Sequence, residues 1–142
     1  MKSNRSVPSA TVIPVLVYPD VRAAVAWLEG ALGFEERLQI GEDHRSQLKF
    51  GDAALIVGDV REGQRSAPGP EDLTHQVMLR VEDANALCQR AREHGAKVLM
   101  EPKDFEYGER QCTLEDPWGH RWTLTETLRD ADPAEWGGTL KS

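Results

Sequence analysis

The chain has 142 residues, 39% hydrophobic and 29% charged, which suits one soluble globular domain or two small modules sharing a core. A net charge of −7 argues against nucleic acid, whose phosphates need a basic surface, and no apolar run approaches the roughly 20 residues of a membrane span. Cys88 and Cys112, with no CxxC pair or Cys/His cluster, read as reduced thiols of a cytoplasmic protein.

Residues 1–10 form a tail; 1–9 start basic without an apolar signal core and read as a disordered lead-in. Thr11–Tyr18 is β-branched and apolar and predicts a buried strand, with Pro14 at an edge or bulge. Asp20 can cap a helix whose stripe is Val21, Ala24, Val25, Leu28 and Leu32, ended by a left-handed cap at Gly33. Phe34–Ile40, Gln47–Phe50 and Ala53–Val57 predict three short strands with turns at Gly41 and Gly51. Residues 59–73, rich in Pro, Gly and charge, predict a linker.

The pattern then repeats. Thr74–Val81 predicts a strand, and Asp83 can cap a helix with the stripe Ala84, Leu87, Cys88 and Ala91, closed by Gly95. Lys97–Met100, Glu109–Leu114 and Arg121–Thr127 predict strands, with a loop at Pro102–Gly108. In the tail, 128–142, one helical turn would dock Trp136. Asp20 and Asp83 stand 63 positions apart, and Gly33 and Gly95 stand 62 apart. A period that long, occurring twice, does not fit most solenoids. It predicts an α+β domain over 11–127, made of βαβββ modules at 11–58 and 74–127 that form a cupped mixed sheet with a small-molecule site inside.

Asp20, its helix and Gly33-Phe34, together with Gly108-Glu-Arg110 and Asp116-Pro-Trp-Gly119, resemble the vicinal oxygen chelate superfamily of glyoxalases, bleomycin-resistance proteins and ring-cleaving dioxygenases. The resemblance spans about residues 11–127. It implies paired modules, a U-shaped sheet, a homodimer and, in the enzymatic branches, a divalent metal held by His, Gln or Glu on the first and last strand of each module. Carried over one at a time, those positions fall on Ile13, on Val57 (or Leu55 after a slip of two), on Gln76 and on Thr123. Two are hydrocarbon and one is a hydroxyl, so the expected metal set is absent and no cofactor is expected. Strand alternation turns Gln76, Met78 and Arg80 into the cup and His75 and Glu126 toward the helices; a one-residue change of register would bring the last two inward.

His44, His94 and His120 read as local loop, helix-end and turn residues, and no catalytic residue is identified. Arg80 and Arg121 are expected to share the cup face, where a guanidinium pair would suit a carboxylate, with Arg110 at the entrance. Ile13, Val57 and Met78 would form an apolar floor, and Phe105, Tyr107 and Trp118 flat walls. The sequence thus predicts a metal-independent, homodimeric binder of a small organic molecule. The alternatives are a metal-dependent lyase, isomerase or dioxygenase of the glyoxalase type, and an interaction module with a filled cup.

Overall fold

Each half of the chain carries the same local signals and builds the same elements. The computed structural model describes residues 1–61, 63, 68–69 and 72–141, so much of the expected linker 59–73 lies outside the described residues. It divides into two units, Met1–Gly69 and Pro70–Ser142. The first contains β1 (Val15–Val17), α1 (Val21–Trp27, continued by a π-helical turn at Leu28–Leu32), β2 (Glu35–Ile40), β3 (Arg45–Phe50) and β4 (Ala53–Gly58). The second contains β5 (Val77–Arg80), α2 (Ala84–Glu93), β6 (Lys97–Asp104), β7 (Glu109–Glu115), β8 (Arg121–Thr127) and a 3-10 turn at Pro133–Trp136. Both are βαβββ, with strand orders β1-β4-β3-β2 and β5-β8-β7-β6. The fold is α+β with mixed sheets, as the repeat predicted. No helix among the described residues is long and apolar enough to cross a membrane.

The helix starts are built alike. Asp20 accepts from the Ala23 amide at 3.0 Å and Asp83 from the Ala86 amide at 3.0 Å. A second carboxylate comes from further along the chain in each case: Asp43 accepts from the Val21 amide at 2.8 Å, and Glu126 from the Ala84 amide at 2.9 Å. Negative charge at a helix N-terminus is favourable. Gly33 closes the first helical segment with φ of 85°, the left-handed cap the sequence predicted.

The first helix buries Val21, Ala24, Leu28 and Leu32 with Leu16, Tyr18, Leu48, Leu55 and Val57. Beside this core, Glu36 on β2 accepts hydrogen bonds from Arg22 on α1 and Ser46 on β3. These partners hold its carboxyl below the usual carboxylate range. In the second unit Ala84, Cys88 and Ala91 pack with Leu79, Cys112, Leu114, Trp122 and Leu124. Leu87, expected in that stripe, is half-buried.

Three expectations are corrected. β1 is only Val15–Val17; the preceding Pro14 contributes its carbonyl to the Ile56 amide at 2.9 Å, a bond that needs no donor from proline. β6 runs on to Asp104, because it is an edge strand whose pairing shifts between Met100 and Lys103, which accommodates Pro102. The lead-in docks on the sheet instead of standing clear of it: Pro8 is buried, and the carbonyls of Arg5 and Ser6 accept from Arg37 and Gln47, each at 2.9 Å.

The turn before β8 depends on Asp116, which is 3% exposed. Its Oδ1 accepts from the Trp118 and His120 amides, both at 3.0 Å, and its Oδ2 from Trp122 Nε1 at 3.2 Å. At the other end of the hairpin, a Cβ on Gly108 (φ 86°) would stand 2.5 Å from the Arg129 carbonyl, so only glycine fits.

Leu28→Ala should cost about 2–5 kcal/mol in urea denaturation. Asp116→Ala strands three donors and should cost on the order of 3 kcal/mol or more, with a smaller loss for Asn, which keeps one acceptor oxygen. Glu36 stabilises the fold while ionised, a contribution present above its unfolded value and lost as pH falls through its lowered folded value. An acid titration of stability should therefore be flatter for Glu36→Gln than for the parent below about pH 4.

Candidate functional site

In each unit one sheet face packs on the helix and the other is open, and alternation assigns every strand residue to one of them. In the first unit Val57 pairs with Leu16 and Ser46, placing it on the helix side with Leu48 and Leu55. This corrects its expected place on the open face, and Leu55 fares no better. The β4 residue pointing the other way is Ile56, which pairs with Val15 and Gln47. Ile13 lies just before β1 and is half-buried.

The second unit follows the predicted alternation. Val77, Leu79, Trp122, Leu124, Cys112 and Leu114 share the helix side through the pairs Val77↔Trp122, Leu79↔Leu124, Cys112↔Leu124 and Leu114↔Trp122. Met78 pairs with Thr123 and Arg80 with Thr125 on the open side; Met78 is 55% exposed. That face carries a hydrogen-bonded ladder. Thr123 donates to Gln76, and its hydroxyl is 3.1 Å from that of Thr113. Tyr107 donates to Gln111 at 2.8 Å, Gln111 to Thr125 at 3.0 Å, and Thr125 to Glu109 at 2.7 Å. Tyr107 is stacked on Phe105 with centroids 5.2 Å apart and meets Trp136 of the tail at 5.3 Å. The polar series Glu109, Gln111 and Thr113 is visible in the sequence as alternation with Cys112 and Leu114.

A cavity of about 280 Å³ opens beside the ladder, lined by Leu73, Thr74, His75, Gln76, Thr113 and Arg121. The Nε of Arg121 is buried without a hydrogen-bond partner. Its cross-strand neighbour is Glu115, and among the described residues no carboxylate pairs with the guanidinium.

The other predicted arginines go elsewhere. Arg80 donates to Thr127 and lies 3.9 Å from Glu109. It is level with Thr125, four residues along β8 from Arg121 and so roughly 13 Å away, and the two do not form a guanidinium pair. Arg110 pairs with Glu126 on the helix side and holds Asp104 at 2.7 and 3.2 Å. That pair raises the guanidinium pKa and lowers the carboxyl, which removes Arg110 from the open face. Trp118 sits half-buried in the Asp116 turn and does not line the cavity.

Glu126 is engaged at the start of α2. His75 precedes β5, escapes its alternation and lines the cavity beside Gln76, against the expectation that it turns to the helices. His44 lies 3.1 Å from Asp59, and His94 Nδ1 is 2.8 Å from the Arg90 carbonyl. The Cys112 thiol is pushed up to about 12 by burial and by neighbouring Cys88, which leaves it without nucleophilic character at neutral pH.

The donor set does not fit a divalent metal. Ile13 and Ile56 or Val57 offer hydrocarbon, while Gln76 and Thr123 offer an amide and a hydroxyl already bonded to each other. Among the described residues no three His, Cys, Asp or Glu side chains converge. One imidazole, His75, lacks a carboxylate partner there, and divalent ions are held by several strong donors together.

A model of the glyoxalase/bleomycin resistance protein/dioxygenase superfamily matches residues 11–124. An uncharacterized protein of Mycobacterium bovis is 33% identical over 66 residues, 46% of this chain and 43% of that relative, so the match spans under half of the relative's length. The crystal structure of TioX from Micromonospora sp. ML1 superposes with a TM-score of 0.70 at 27% identity, over 84% of this chain and 100% of that one. A fosfomycin resistance protein of Listeria monocytogenes, complexed with Mn(II) and a dihydroxypropylphosphonic acid, shares the fold at a TM-score of 0.64 and 14% identity, over 94% and 93% of the two chains. With the family model covering most of its length and both βαβββ units in place, the chain belongs to the glyoxalase/bleomycin resistance protein/dioxygenase superfamily.

Proposed function

We propose that this protein binds a small organic molecule bearing a carboxylate or similar anionic group on the open face of its second sheet, without a metal. The observation that carries this reading is the uncompensated Arg121 guanidinium at a 280 Å³ cavity, with Gln76, Thr113 and His75 around it. A buried Nε–H with no acceptor gains when an acceptor arrives, and a planar carboxylate matches the guanidinium edge to which it belongs. Met78 supplies apolar surface on the same face, and the Thr113–Thr123–Gln76 cluster fixes the polar groups in place. The protein works in this reading as a cytoplasmic homodimer, the usual assembly of its superfamily.

The donor set supports metal independence, whereas the fosfomycin resistance protein of the same fold is complexed with Mn(II). Binding of a cationic glycopeptide such as bleomycin is the competing use of the same scaffold, and Arg121 works against it.

Calorimetric titration with small aromatic and aliphatic carboxylates should find a ligand whose affinity falls at least tenfold in Arg121→Ala, or about 1.4 kcal/mol or more, and less in Arg80→Ala. Elemental analysis of the purified protein should show no stoichiometric Zn, Ni, Fe or Mn. One metal per chain, lost on changing Gln76 and His75, would replace this reading with a metal-dependent lyase, isomerase or dioxygenase. Bleomycin binding that survives Arg121→Ala would refute the anion argument.

A further inference from the structure

The open face of the first sheet holds a second polar cluster that the reading above does not use. The pairing of β2 with β3 slips between Glu36 and Leu38, so that Arg37 and Leu38 together oppose Gln47. A bulge of this kind re-aims one side chain. Here it brings the Arg37 guanidinium onto the face of Gln47, to which it donates a hydrogen bond. Gln47 is 5% exposed although it lies on the side away from α1. What covers it is the chain's own lead-in: Gln47 Nε2 donates to the Ser6 carbonyl and Arg37 Nη2 to the Arg5 carbonyl, each at 2.9 Å.

That covering is slight. Residues 1–7 and Ser9 are exposed, and Pro8 is the one buried ring that seats the segment. The segment adds no strand to the sheet; its local bonds are a turn in which Asn4 accepts from the Ser6 and Val7 amides at 3.0 and 3.3 Å. Between the segment and the sheet remains a space of about 140 Å³ that reaches Arg37, Lys49 and Asp52. Lys49 is tied to Glu35 at 3.3 Å in an exposed pair, whereas Arg37 is held only by neutral oxygens. Two neutral carbonyls therefore occupy the donors of a cation that forms no ion pair among the described residues, with Asp52 the carboxylate that shares its space.

We propose that Arg37 and Gln47 form an oxyanion-binding site on the open face of the first sheet, covered by the chain's own Arg5–Pro8 segment, whose two carbonyls stand where the anion's oxygens bind. The anion displaces the segment, because a charged acceptor outbids a neutral carbonyl for a guanidinium. The apparent affinity is reduced by the fraction of time the cover is in place. This site lies in a different unit from Arg121 and does not depend on the function proposed above.

The test uses the full chain with inorganic phosphate and sodium acetate as probes, titrated at constant ionic strength against chloride. Pro8→Gly, which unseats the cover without touching the site, should bind phosphate or acetate at least fivefold more tightly than the parent. Arg37→Ala should bind at least tenfold more weakly, with Arg37→Lys between them as a fold-preserving check. Arg121→Ala should leave this affinity unchanged. The preferred probe tells a phosphoryl from a carboxylate ligand. In the parent, the better probe should also speed tryptic cleavage after Arg5, read by mass spectrometry as loss of residues 1–5. The proposal is overturned if neither anion binds, if Pro8→Gly leaves affinity unchanged or weaker, if Arg37→Ala and Arg37→Lys bind as the parent does, or if cleavage after Arg5 is indifferent to both anions.

Discussion

Asp116 gathers three donors onto one carboxylate and thereby fixes where β8 begins. Everything on the open face of the second unit follows from that start. β8 is the strand with a parallel neighbour on one side and an antiparallel neighbour on the other, so its phase is imposed on β5 and β7 as well. With Trp122 and Leu124 buried, Arg121, Thr123 and Thr125 must face the other way. A slip of one residue would expose an indole whose N–H is already satisfied and drive a guanidinium into the helix core. The turn motif Asp116-Pro-Trp-Gly119, which first suggested the family, is thus also the part that sets the site's chemistry.

Much of this was legible in the sequence where polar and apolar residues alternate. The caps at Asp20, Asp83 and Gly33, the βαβββ repeat, and the faces of Met78 and Thr123 follow from local rules. Val57 did not follow, because β4 reads Ala-Ala-Leu-Ile-Val and carries no polar residue to mark a face. Its phase is set by β3, where Ser46 faces Glu36 and Gln47 faces the lead-in. Arg110 leaves its expected place at the entrance because Asp104 on β6 gives it a partner on the helix side. His75 lies outside its strand, where alternation no longer applies. The docking of residues 5–8 rests on a bulge at Arg37, and bulges leave no trace in composition.

Membership in a superfamily settles the scaffold and leaves the chemistry to individual positions. Here the two open faces have diverged. The first offers Val15, Val17 and Ile56 next to the Arg37–Gln47 pair, and the second offers hydroxyls and amides in a continuous run. Among the described residues neither brings together the carboxylates and imidazoles that hold a divalent ion. A repeated framework with matching N-caps allows this, since the helix-facing residues maintain the fold while the outward residues are free to change.

The ladder from Tyr107 to Glu109 has a direction. A carboxylate can only accept, so Glu109 forces the Thr125 hydroxyl to point its proton that way. Thr125 must then accept from the Gln111 amide nitrogen, which turns the amide oxygen toward Tyr107 and makes the phenol a donor. One negative charge thereby sets two hydroxyl rotors and one amide flip, and the four groups act as a single oriented dipole with its negative end at Glu109. Reorienting any one of them means reorienting all, so this end of the sheet is electrically rigid before anything binds to it.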